Sequence, residues 1–383
     1  MNRELFNNIL KYNYVAITQG NGYQNSFENH LAYSNSKLPI DSLEDLKSQL
    51  KNINSKAFGY LSYDLKNELE DLKSNNSDKL NFDSLFFFEG KNQTNFDVGD
   101  LNPIPINTQV KFDCDWSKED YIKTVKEIQN HIIQGDIYEM NFCIEFYAKN
   151  VKISPFDLYL KLNKVSPTPF SSFLKNKDQY IISASPERFL KRIENRFISQ
   201  PIKGTSKRDS DPVEDIKAKE YLQNSEKEQA ENLMIVDLVR NDLAKTAITG
   251  SVRVDELFGI YAFPQVYQMI STISSEVKPG TNSIDVLKGA YPMGSMTGAP
   301  KVMAMNLIEK LELAKRGPFS GSIGYFDPNG NFDLNVVIRS LFYNESTKNL
   351  TFQVGSAITI DSDPESEYNE CLLKAKAIFE CFR

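Results

Sequence analysis

The sequence is poor in histidine, and this scarcity excludes several kinds of catalytic site. Its 383 residues contain only 2 histidines, His30 and His131. A zinc site built from imidazole ligands needs more of them, and a Ser-His-Asp triad would have to use one of this pair. His131 falls in a strongly amphipathic segment, which favours a structural or surface role. The chemistry of any catalytic site must therefore rest on Lys, Glu, Arg or a bound hard metal ion.

Other scarce features narrow the class of protein further. The 4 cysteines show no C-x-x-C spacing, which indicates free thiols in a reducing compartment. No apolar run approaches the roughly 20 residues of a membrane helix, and the N-terminus MNRELFNNILKYNY lacks a signal-peptide core. A net charge of −7 argues against a general nucleic-acid binder. We expect a cytoplasmic protein whose substrate, if anionic, is bound with the help of a metal ion or local cations.

The composition and the distribution of predicted elements indicate the fold class. A hydrophobic fraction of 40% and a charged fraction of 25% are those of a globular protein with a sizeable core. The polar stretch from 92 to 108 contains two prolines and predicts a boundary between an N-terminal subdomain, 1–108, and a larger domain, 109–383. Strand-like runs cluster instead of alternating strictly with helices, so we expect an α+β fold with antiparallel sheets.

Several elements of the larger domain can be assigned individually. Ser117 and Asp120 resemble a capping box ahead of an amphipathic helix, and Gly135 stands where that helix should end. Further helices are predicted to begin at Pro155 and to span Glu226–Leu243, Val302–Leu313 and Glu365–Phe379. Strands are predicted at Tyr138–Tyr147, Tyr180–Ala184, Phe197–Ile202, Ser322–Tyr325, Asn335–Phe342 and Leu350–Val354.

Acidic side chains recur on one face of two predicted helices. Glu228 and Glu231 are three residues apart, while Glu367, Glu370 and Lys374 form a second stripe. A solvated helix surface would explain either stripe. However, a nearly continuous apolar run follows Glu231, and a carboxylate at the margin of a buried helix needs a partner. Two such helices could meet across a hard cation, and carboxylate oxygens with water suit Mg²⁺.

Two further segments combine glycine with lysine, and each keeps two interpretations open. Lys203, in Pro201-Ile-Lys-Gly-Thr205, follows a predicted strand and is either an exposed loop lysine or a nucleophile. The segment Gly294-Ser-Met-Thr-Gly-Ala-Pro-Lys301 lacks the spacing of a phosphate loop, but it could lead into an anion-binding helix N-terminus. The residues alone therefore indicate no more than a Mg²⁺ enzyme that acts on an anionic metabolite.

Taken in order along the chain, these segments closely resemble the chorismate-binding enzyme family, which includes the anthranilate, aminodeoxychorismate, isochorismate and salicylate synthases. The resemblance extends from about residue 115 to the C-terminus. It implies the fold of that family, in which antiparallel sheets pack as a sandwich with helices outside. The matching segments are Ser185–Phe189, Pro201–Thr205, Glu228–Leu243, Gly294–Lys301, Gly321–Tyr325, Ile338–Ser340 and Glu367–Glu370.

The resemblance also implies a metal site and a substrate site. Glu231 and Glu370 match the residues that hold Mg²⁺, with Glu228 and Glu367 close by through water, and the ion would neutralise the ring carboxylate of chorismate. Arg339 matches an arginine that grips the enolpyruvyl carboxylate. The other positions that match substrate-binding residues are Gly204, Thr205, Gln268, Thr297, Tyr325, Gly355, Ser356, Ala357 and Lys374.

Lys203 bears on the choice between activities within the family. Anthranilate synthases usually carry alanine at this position and aminodeoxychorismate synthases usually carry lysine. The resemblance implies that Lys203 adds at C2 of chorismate and expels the C4 hydroxyl, with Glu187 as the acid that protonates it; ammonia then adds at C4. These roles require a raised pKa for Glu187 and a pKa for Lys203 that falls toward neutrality. The implied product is 4-amino-4-deoxychorismate, a precursor of p-aminobenzoate and folate.

Three positions depart from the family pattern and keep alternatives open. Gln268 stands where many relatives have a histidine, and Phe319 where anthranilate synthases often have a tyrosine. Glu139 stands where isochorismate-type enzymes tend to have a water-activating lysine, which counts against water as the nucleophile. The alternatives are anthranilate synthase component I and a non-catalytic chorismate-binding paralogue. No segment resembles a glutamine amidotransferase, so the resemblance implies a partner subunit that supplies ammonia.

Overall fold

A computed structural model describes residues 3–94, 96–99, 101–105 and 109–383 of the chain. The helices are α1 (Arg3–Ile9), α2 (Leu43–Gln49), α3 (Lys66–Leu69), α4 (Lys118–Ile133), α5 (Pro155–Val165), α6 (Pro212–Asn224), α7 (Glu226–Ala244), α8 (Ser283–Ala290), α9 (Lys301–Leu311) and α10 (Pro364–Glu380). The strands are β1 (Tyr14–Gln19), β2 (His30–Ser34), β3 (Ala57–Leu61), β4 (Leu85–Glu89), β5 (Lys91–Thr94), β6 (Asp113–Cys114), β7 (Glu139–Ala148), β8 (Phe170–Asn176), β9 (Gln179–Ser185), β10 (Arg188–Ile193), β11 (Arg196–Gln200), β12 (Ile202–Lys207), β13 (Arg253–Ala262), β14 (Val266–Glu276), β15 (Gly298–Ala299), β16 (Ser322–Phe326), β17 (Phe332–Asn335), β18 (Ser340–Asn344) and β19 (Asn349–Ile358).

The strands form two sheets, and the pairings between them are antiparallel throughout. The larger sheet has 10 strands in the order β15-β7-β19-β18-β9-β8-β1-β2-β5, and β6 also pairs with β7. The smaller sheet has 9 strands in the order β12-β14-β11-β10-β17-β16-β3-β4, and β13 also pairs with β14. The predicted α+β class with antiparallel sheets is confirmed.

Two apolar layers explain why the sheets pack as a sandwich. One layer lies between the sheets, where Phe58 and Leu334 of the smaller sheet meet Ala16 and Phe342 of the larger. The other layer covers the outer face of the larger sheet with α4, α5 and α10. Apolar residues on both faces of the larger sheet require cover on both sides, which the second sheet and the helices provide.

The helix ends follow the capping signals in the sequence. Ser117 Oγ accepts a hydrogen bond from the Asp120 N–H, as the capping box predicts, and α4 begins at the next residue. Gly135 has a left-handed φ of 83° just past the end of this helix. Ser154 and Pro155 begin α5 in the same way. No helix in the described ranges is long and apolar enough to cross a membrane.

Two of the strand predictions are wrong because a break interrupts each predicted run. Pro201, which has no N–H to donate, separates β11 from β12. The run predicted at Asn335–Phe342 is two strands, since β17 ends in the smaller sheet and β18 begins in the larger. Between them the Val336 N–H donates to the Glu187 carbonyl at 3.0 Å. The crossover ends at Arg339, whose φ is 51°.

The N-terminal strands belong to both sheets. β1 pairs with β8, and β3 pairs with β16. Residues 106–108, where the predicted N-terminal subdomain ends, lie outside the described residues. The division at 108 therefore stays a prediction.

Candidate active site

Strands β12 and β7 bring a lysine and a glutamate together. Lys203 Nζ lies 2.6 Å from Glu139 Oε1, and the two side chains are 11% and 2% exposed. Burial acts to lower the pKa of Lys203, but Glu139 and Glu231 outweigh it, so the pKa is raised. Lys203 is therefore an ammonium ion in the resting protein, and the expected fall in its pKa is not found. Sequence reasoning noted Glu139 only as a missing lysine and did not foresee this contact.

Glu187 lies in the short turn between β9 and β10, buried beside the same lysine. Its Oε1 accepts a hydrogen bond of 2.7 Å from the Ser295 hydroxyl. Burial raises the pKa of Glu187 to about 7, although Ser295, the Ile202 N–H and the charge of Lys203 act in the opposite direction. A carboxyl group with this pKa can keep a proton at neutral pH and give it up to a leaving group. The raised pKa is what the role of a general acid requires, and the role itself stays a prediction.

Arg339 is a partly buried cation, and no acid among the described residues pairs with it. Burial lowers the pKa of Arg339 to about 10, and the charge of Glu187 acts against this. Among the described residues, none forms a salt bridge or a hydrogen bond with its guanidinium. Its carbonyl accepts the Ala184 N–H at 3.2 Å, which fixes the end of the crossover to β9. A guanidinium held in this way is suited to an incoming carboxylate.

Asn232 fixes helix α7 against the strands that carry Lys203. Its amide donates to the carbonyls of Lys203 at 3.1 Å and Met269 at 3.4 Å, and its oxygen accepts from the Ser271 hydroxyl at 2.6 Å. These bonds place the neighbouring Glu231 close enough to raise the pKa of Lys203. Sequence reasoning missed Asn232, although a polar residue inside an apolar helical run was a usable signal.

Gly204 allows β12 to approach helix α7 closely. Its φ is 100°, and an added Cβ would lie 3.0 Å from Glu228 Oε2 and 3.2 Å from Met269 Cβ. A side chain here would therefore be strained and would crowd the carboxylate. The glycine keeps Lys203 and Glu228 on adjoining parts of one site.

The acids predicted to bind a metal come from α7 and α10 and influence one another. Burial raises the pKa of Glu231 to about 7, and it also raises those of Glu228 and Glu367, with Glu370 adding to both. Lys374, 2.7 Å from Glu370, holds the pKa of that acid low. Crowded carboxylates of this kind fit a hard cation. Among the described residues, however, no three or more His, Cys, Asp or Glu side chains lie close enough together to hold a metal ion.

Strand β19 runs beside these acids. The Gly355 carbonyl accepts a hydrogen bond of 2.9 Å from Lys374 Nζ, which ties α10 to the strand. The buried Ser356 hydroxyl lies 3.0 Å from the Tyr121 hydroxyl, and Ala357 follows on the same strand. Gly355 and Ser356 therefore adjoin the acid cluster, since the Ser356 hydroxyl also hydrogen-bonds Glu367, and a site role for Ala357 stays a prediction.

Thr205 and Gln268 face each other across β12 and β14. Gln268 is buried, and its Oε1 has no hydrogen-bond partner among the described residues. A buried acceptor left without a donor costs free energy, so a ligand hydroxyl or amine would stabilise it. Gln268 is thus suited to the substrate contact that the resemblance implies.

Two predicted substrate residues are not brought into this group. The Thr297 hydroxyl closes its own turn, donating to the carbonyls of Met293 at 3.2 Å and Gly294 at 3.3 Å. The Tyr325 ring packs between the sheets, and Lys56 Nζ lies 4.5 Å from its centre. A substrate contact for either residue stays a prediction.

The glycine-rich segment brings Ser295 to Glu187, and anion binding at the start of the helix that follows stays a prediction. Helix α9 begins at Lys301, whose Nζ is paired with Asp242 Oδ2 at 2.5 Å. Ser295 and Glu187 line the same small cavity. Sequence reasoning included Ser295 in the motif but gave it no role.

The chain is similar to several known proteins. A family model described as chorismate binding enzyme matches residues 101–380. Aminodeoxychorismate synthase component 1 of Escherichia coli (strain K12) is 39% identical over 270 residues, which cover 70% of this chain and 59% of that protein. Anthranilate synthase component 1 of Saccharolobus solfataricus is 33% identical over 385 aligned positions, which cover 96% of this chain and 89% of that protein.

Coverage differs between these relatives. The chain matches between 30% and 61% of the length of the compared relatives named aminodeoxychorismate synthase. Among solved structures, anthranilate synthase component I from Streptococcus pneumoniae TIGR4 is 25% identical and has a TM-score of 0.78, covering 97% of this chain and 92% of that one. The fold is therefore shared along nearly the whole chain.

Proposed function

The chain belongs to the chorismate-binding enzyme family, and we propose that it converts chorismate and ammonia to 4-amino-4-deoxychorismate, as an aminodeoxychorismate synthase. The observation that carries this proposal is the placement of the largely buried Lys203, held by Glu139, beside the buried Glu187, on whose pKa its charge acts. A nucleophile and a proton donor are the two groups that replacement of a ring hydroxyl by an amine requires. Relatives of this name at about 40% identity support it.

The proposed reaction uses two allylic displacements. Lys203 Nζ bonds to C2 of chorismate, both ring double bonds shift by one position, and the C4 hydroxyl leaves as water with the proton of Glu187. Ammonia then bonds to C4, the double bonds shift back, and the lysine leaves C2. Glu187 recovers its proton from the new ammonium group at C4. The sum is chorismate and ammonia giving the amine and water.

Mg²⁺ is the proposed cofactor. Glu231 and Glu370 would hold it, with Glu228 and Glu367 through water, and a bound ion would offset the charge of the ring carboxylate. The support is that burial and Glu370 raise the pKa values of Glu228 and Glu367. Arg339 binds the second carboxylate of chorismate.

A glutamine amidotransferase subunit is the proposed source of ammonia. The relatives named component 1 support a partner. Burial raises the pKa of each of the four cysteines, so the chain offers no thiolate to attack glutamine. We expect ammonium to support turnover and glutamine alone to be a poor nitrogen source for the purified chain. These free thiols also support the cytoplasm as the proposed compartment.

Product analysis after incubation with chorismate, Mg²⁺ and ammonium tests the proposal. Aminodeoxychorismate is the expected product. Anthranilate would instead establish the alternative, which the match to an anthranilate synthase over 96% of this chain favours. Chorismate binding without any product would identify a non-catalytic paralogue.

A further inference from the structure

Strand β7 carries two buried glutamates, each paired with a lysine, and the two pairs differ in their surroundings. Glu145 Oε2 lies 2.6 Å from Lys79, which also contacts Asp115 at 3.2 Å. Glu139 Oε1 lies 2.6 Å from Lys203. The Glu139 Oε2 atom is buried and has no hydrogen-bond partner among the described residues. Lys203 is thus the one described donor to Glu139.

An amine attacks carbon only in its neutral form, so Lys203 must lose a proton before it can bond to C2. The acceptor must lie within hydrogen-bonding distance of Nζ. Glu139 is the charged group that is hydrogen-bonded to Lys203. The charged groups that influence Lys203 come from four parts of the fold: Glu139 of β7, Glu187 of the β9–β10 turn, Glu228 and Glu231 of α7, and Glu370 and Lys374 of α10.

We propose that Glu139 is a catalytic base, which takes the proton of Lys203 as the amine attacks and returns it when the lysine leaves. This role rests on the proposed function, because it applies to the covalent step at C2. The geometry that carries it is that Glu139 has one described donor, and this donor is the group to be deprotonated.

The proton balance closes with two acids. Lys203 ammonium and Glu139 carboxylate become amine and carboxylic acid. The amine bonds to C2 while Glu187 protonates the departing hydroxyl, which leaves a positively charged secondary amine and a Glu187 carboxylate. Ammonia bonds to C4 and the lysine departs as a neutral amine. Glu139 returns its proton to Lys203, and Glu187 takes one from the C4 ammonium.

The two other acids considered as bases for Lys203 have other partners. Glu187 accepts the Ser295 hydroxyl, and its proton is needed for the leaving hydroxyl. Glu231 lies 3.8 Å from Lys227 on its own helix and has no hydrogen bond to Lys203 among the described contacts. Neither can take the proton of Lys203 without losing its own function or moving.

The test follows formation of the Lys203 adduct by mass spectrometry, with chorismate and Mg²⁺ present and ammonia absent. At pH 6.5 Glu139→Gln should form the adduct about 100-fold more slowly than the wild type, a size typical of a lost general base. The deficit should shrink about tenfold per pH unit above this, because hydroxide in solution then deprotonates the lysine. The KM for chorismate should stay close to that of the wild type.

Glu145→Gln is the matched control, since it breaks a buried lysine–glutamate pair on the same strand. It should form the adduct at the wild-type rate at every pH. If Glu139→Gln fails to fold, Glu139→Asp keeps a displaced carboxylate and should react more slowly at pH 6.5, with a deficit that also shrinks as pH rises, because hydroxide can deprotonate the lysine in this variant too.

Several results would overturn the proposal. A wild-type rate for Glu139→Gln at pH 6.5 would do so, as would a deficit that is the same at every pH. A pH-dependent deficit in Glu145→Gln would attribute the effect to the strand and not to Glu139. If the wild type makes aminodeoxychorismate but the Glu139 variants give one of these contrary results, the proposed role of Glu139 is wrong and the proposed function still stands. If the wild type forms neither the Lys203 adduct nor aminodeoxychorismate, both the role of Glu139 and the proposed function are wrong.

Discussion

Two buried ion pairs adjoin strand β7, and they differ in how completely their atoms are hydrogen-bonded. Arg316 donates to both oxygens of Glu312, at 2.6 and 2.9 Å, and to the carbonyls of Met296 at 2.6 Å and Asn141 at 2.9 Å. Glu312 also accepts the Cys143 N–H at 2.9 Å. At the start of the same strand Glu139 has Lys203 as its one described donor, and its second oxygen has none.

The difference fits a structural role for the Arg316–Glu312 pair and the chemical role that we propose for Lys203 and Glu139. A fully hydrogen-bonded network fixes one geometry, and Arg316 uses it to hold the loop that carries Ser295 to Glu187. A partly satisfied pair costs folding free energy. Such groups persist at sites where the missing partner is a ligand or where the proton has to move.

The largest effect on activity is expected at Lys203. Lys203→Ala should lower the rate of aminodeoxychorismate formation on the order of 10⁴-fold, because the covalent route through C2 is removed. Chorismate binding should stay nearly intact, and residual product should shift toward anthranilate as ammonia gains access to C2. Chromatography of the products against both standards measures this. If the variant keeps its rate and its C4 product, Lys203 is a structural lysine.

Breaking the Arg316–Glu312 pair should lower the free energy of unfolding. Glu312→Gln leaves the buried guanidinium of Arg316 without its counter-charge, and breaking such a pair costs about 3–5 kcal/mol. Urea unfolding followed by circular dichroism should show a midpoint well below that of the wild type. Glu145→Gln, in the less buried pair with Lys79, is the comparison and should lose less. Equal losses would show that the additional hydrogen bonds of the Arg316–Glu312 pair contribute no more stability than the Glu145–Lys79 pair does.

Loss of one acid in the α7–α10 cluster should weaken metal binding without destroying the fold. Glu231→Gln should raise the Mg²⁺ concentration needed for half-maximal activity by roughly 10- to 100-fold, the range typical of losses around a metal. Titration of activity with Mg²⁺ after treatment with a chelator measures this. Full wild-type activity in excess chelator would contradict a metal site altogether.

The smallest effect is expected from Ser295. Activity needs protonated Glu187, so the wild-type rate should fall above pH 7, near the pKa of that acid, which is about 7. The Ser295 hydrogen bond acts to lower this pKa, so Ser295→Ala should move the falling limb to higher pH. A lost hydrogen bond of about 1 kcal/mol corresponds to roughly 0.7 pH unit. A limb that moves downward in a pH–rate profile would show that Glu187 is not the acid.

The sequence predicts the local features of the fold better than its connections. Helices α4, α7 and α10 begin within one residue of their predicted positions, because caps and apolar spacing act within a few residues. The crossover after Asn335 could not be predicted, since Val336 and Val337 have the β-branched side chains typical of a strand. The strands that flank this segment depend on which sheet β17 and β18 each join, and the local sequence does not specify this.

Most of the candidate site could be located from motifs, but its internal contacts could not. Lys203 and Glu187 were placed by local sequence, yet the partner of Lys203 is 64 residues away in the chain. Asn232 and Ser295 act through hydrogen bonds between elements, which no spacing rule describes. Sequence reasoning also predicted a lower pKa for Lys203, because the neighbouring carboxylates could not be weighed against burial before their positions were known.

The left-handed backbone of Arg339 has a consequence for attempts to stabilise the protein by directed evolution. A residue with a Cβ pays about 1–2 kcal/mol for this conformation, whereas glycine adopts it freely. A screen that rewards heat resistance alone will therefore favour Arg339→Gly, which relaxes the crossover and deletes the guanidinium proposed to bind the substrate. Such a lineage would gain melting temperature while losing turnover. Position 339 has to be held fixed in any library selected for stability.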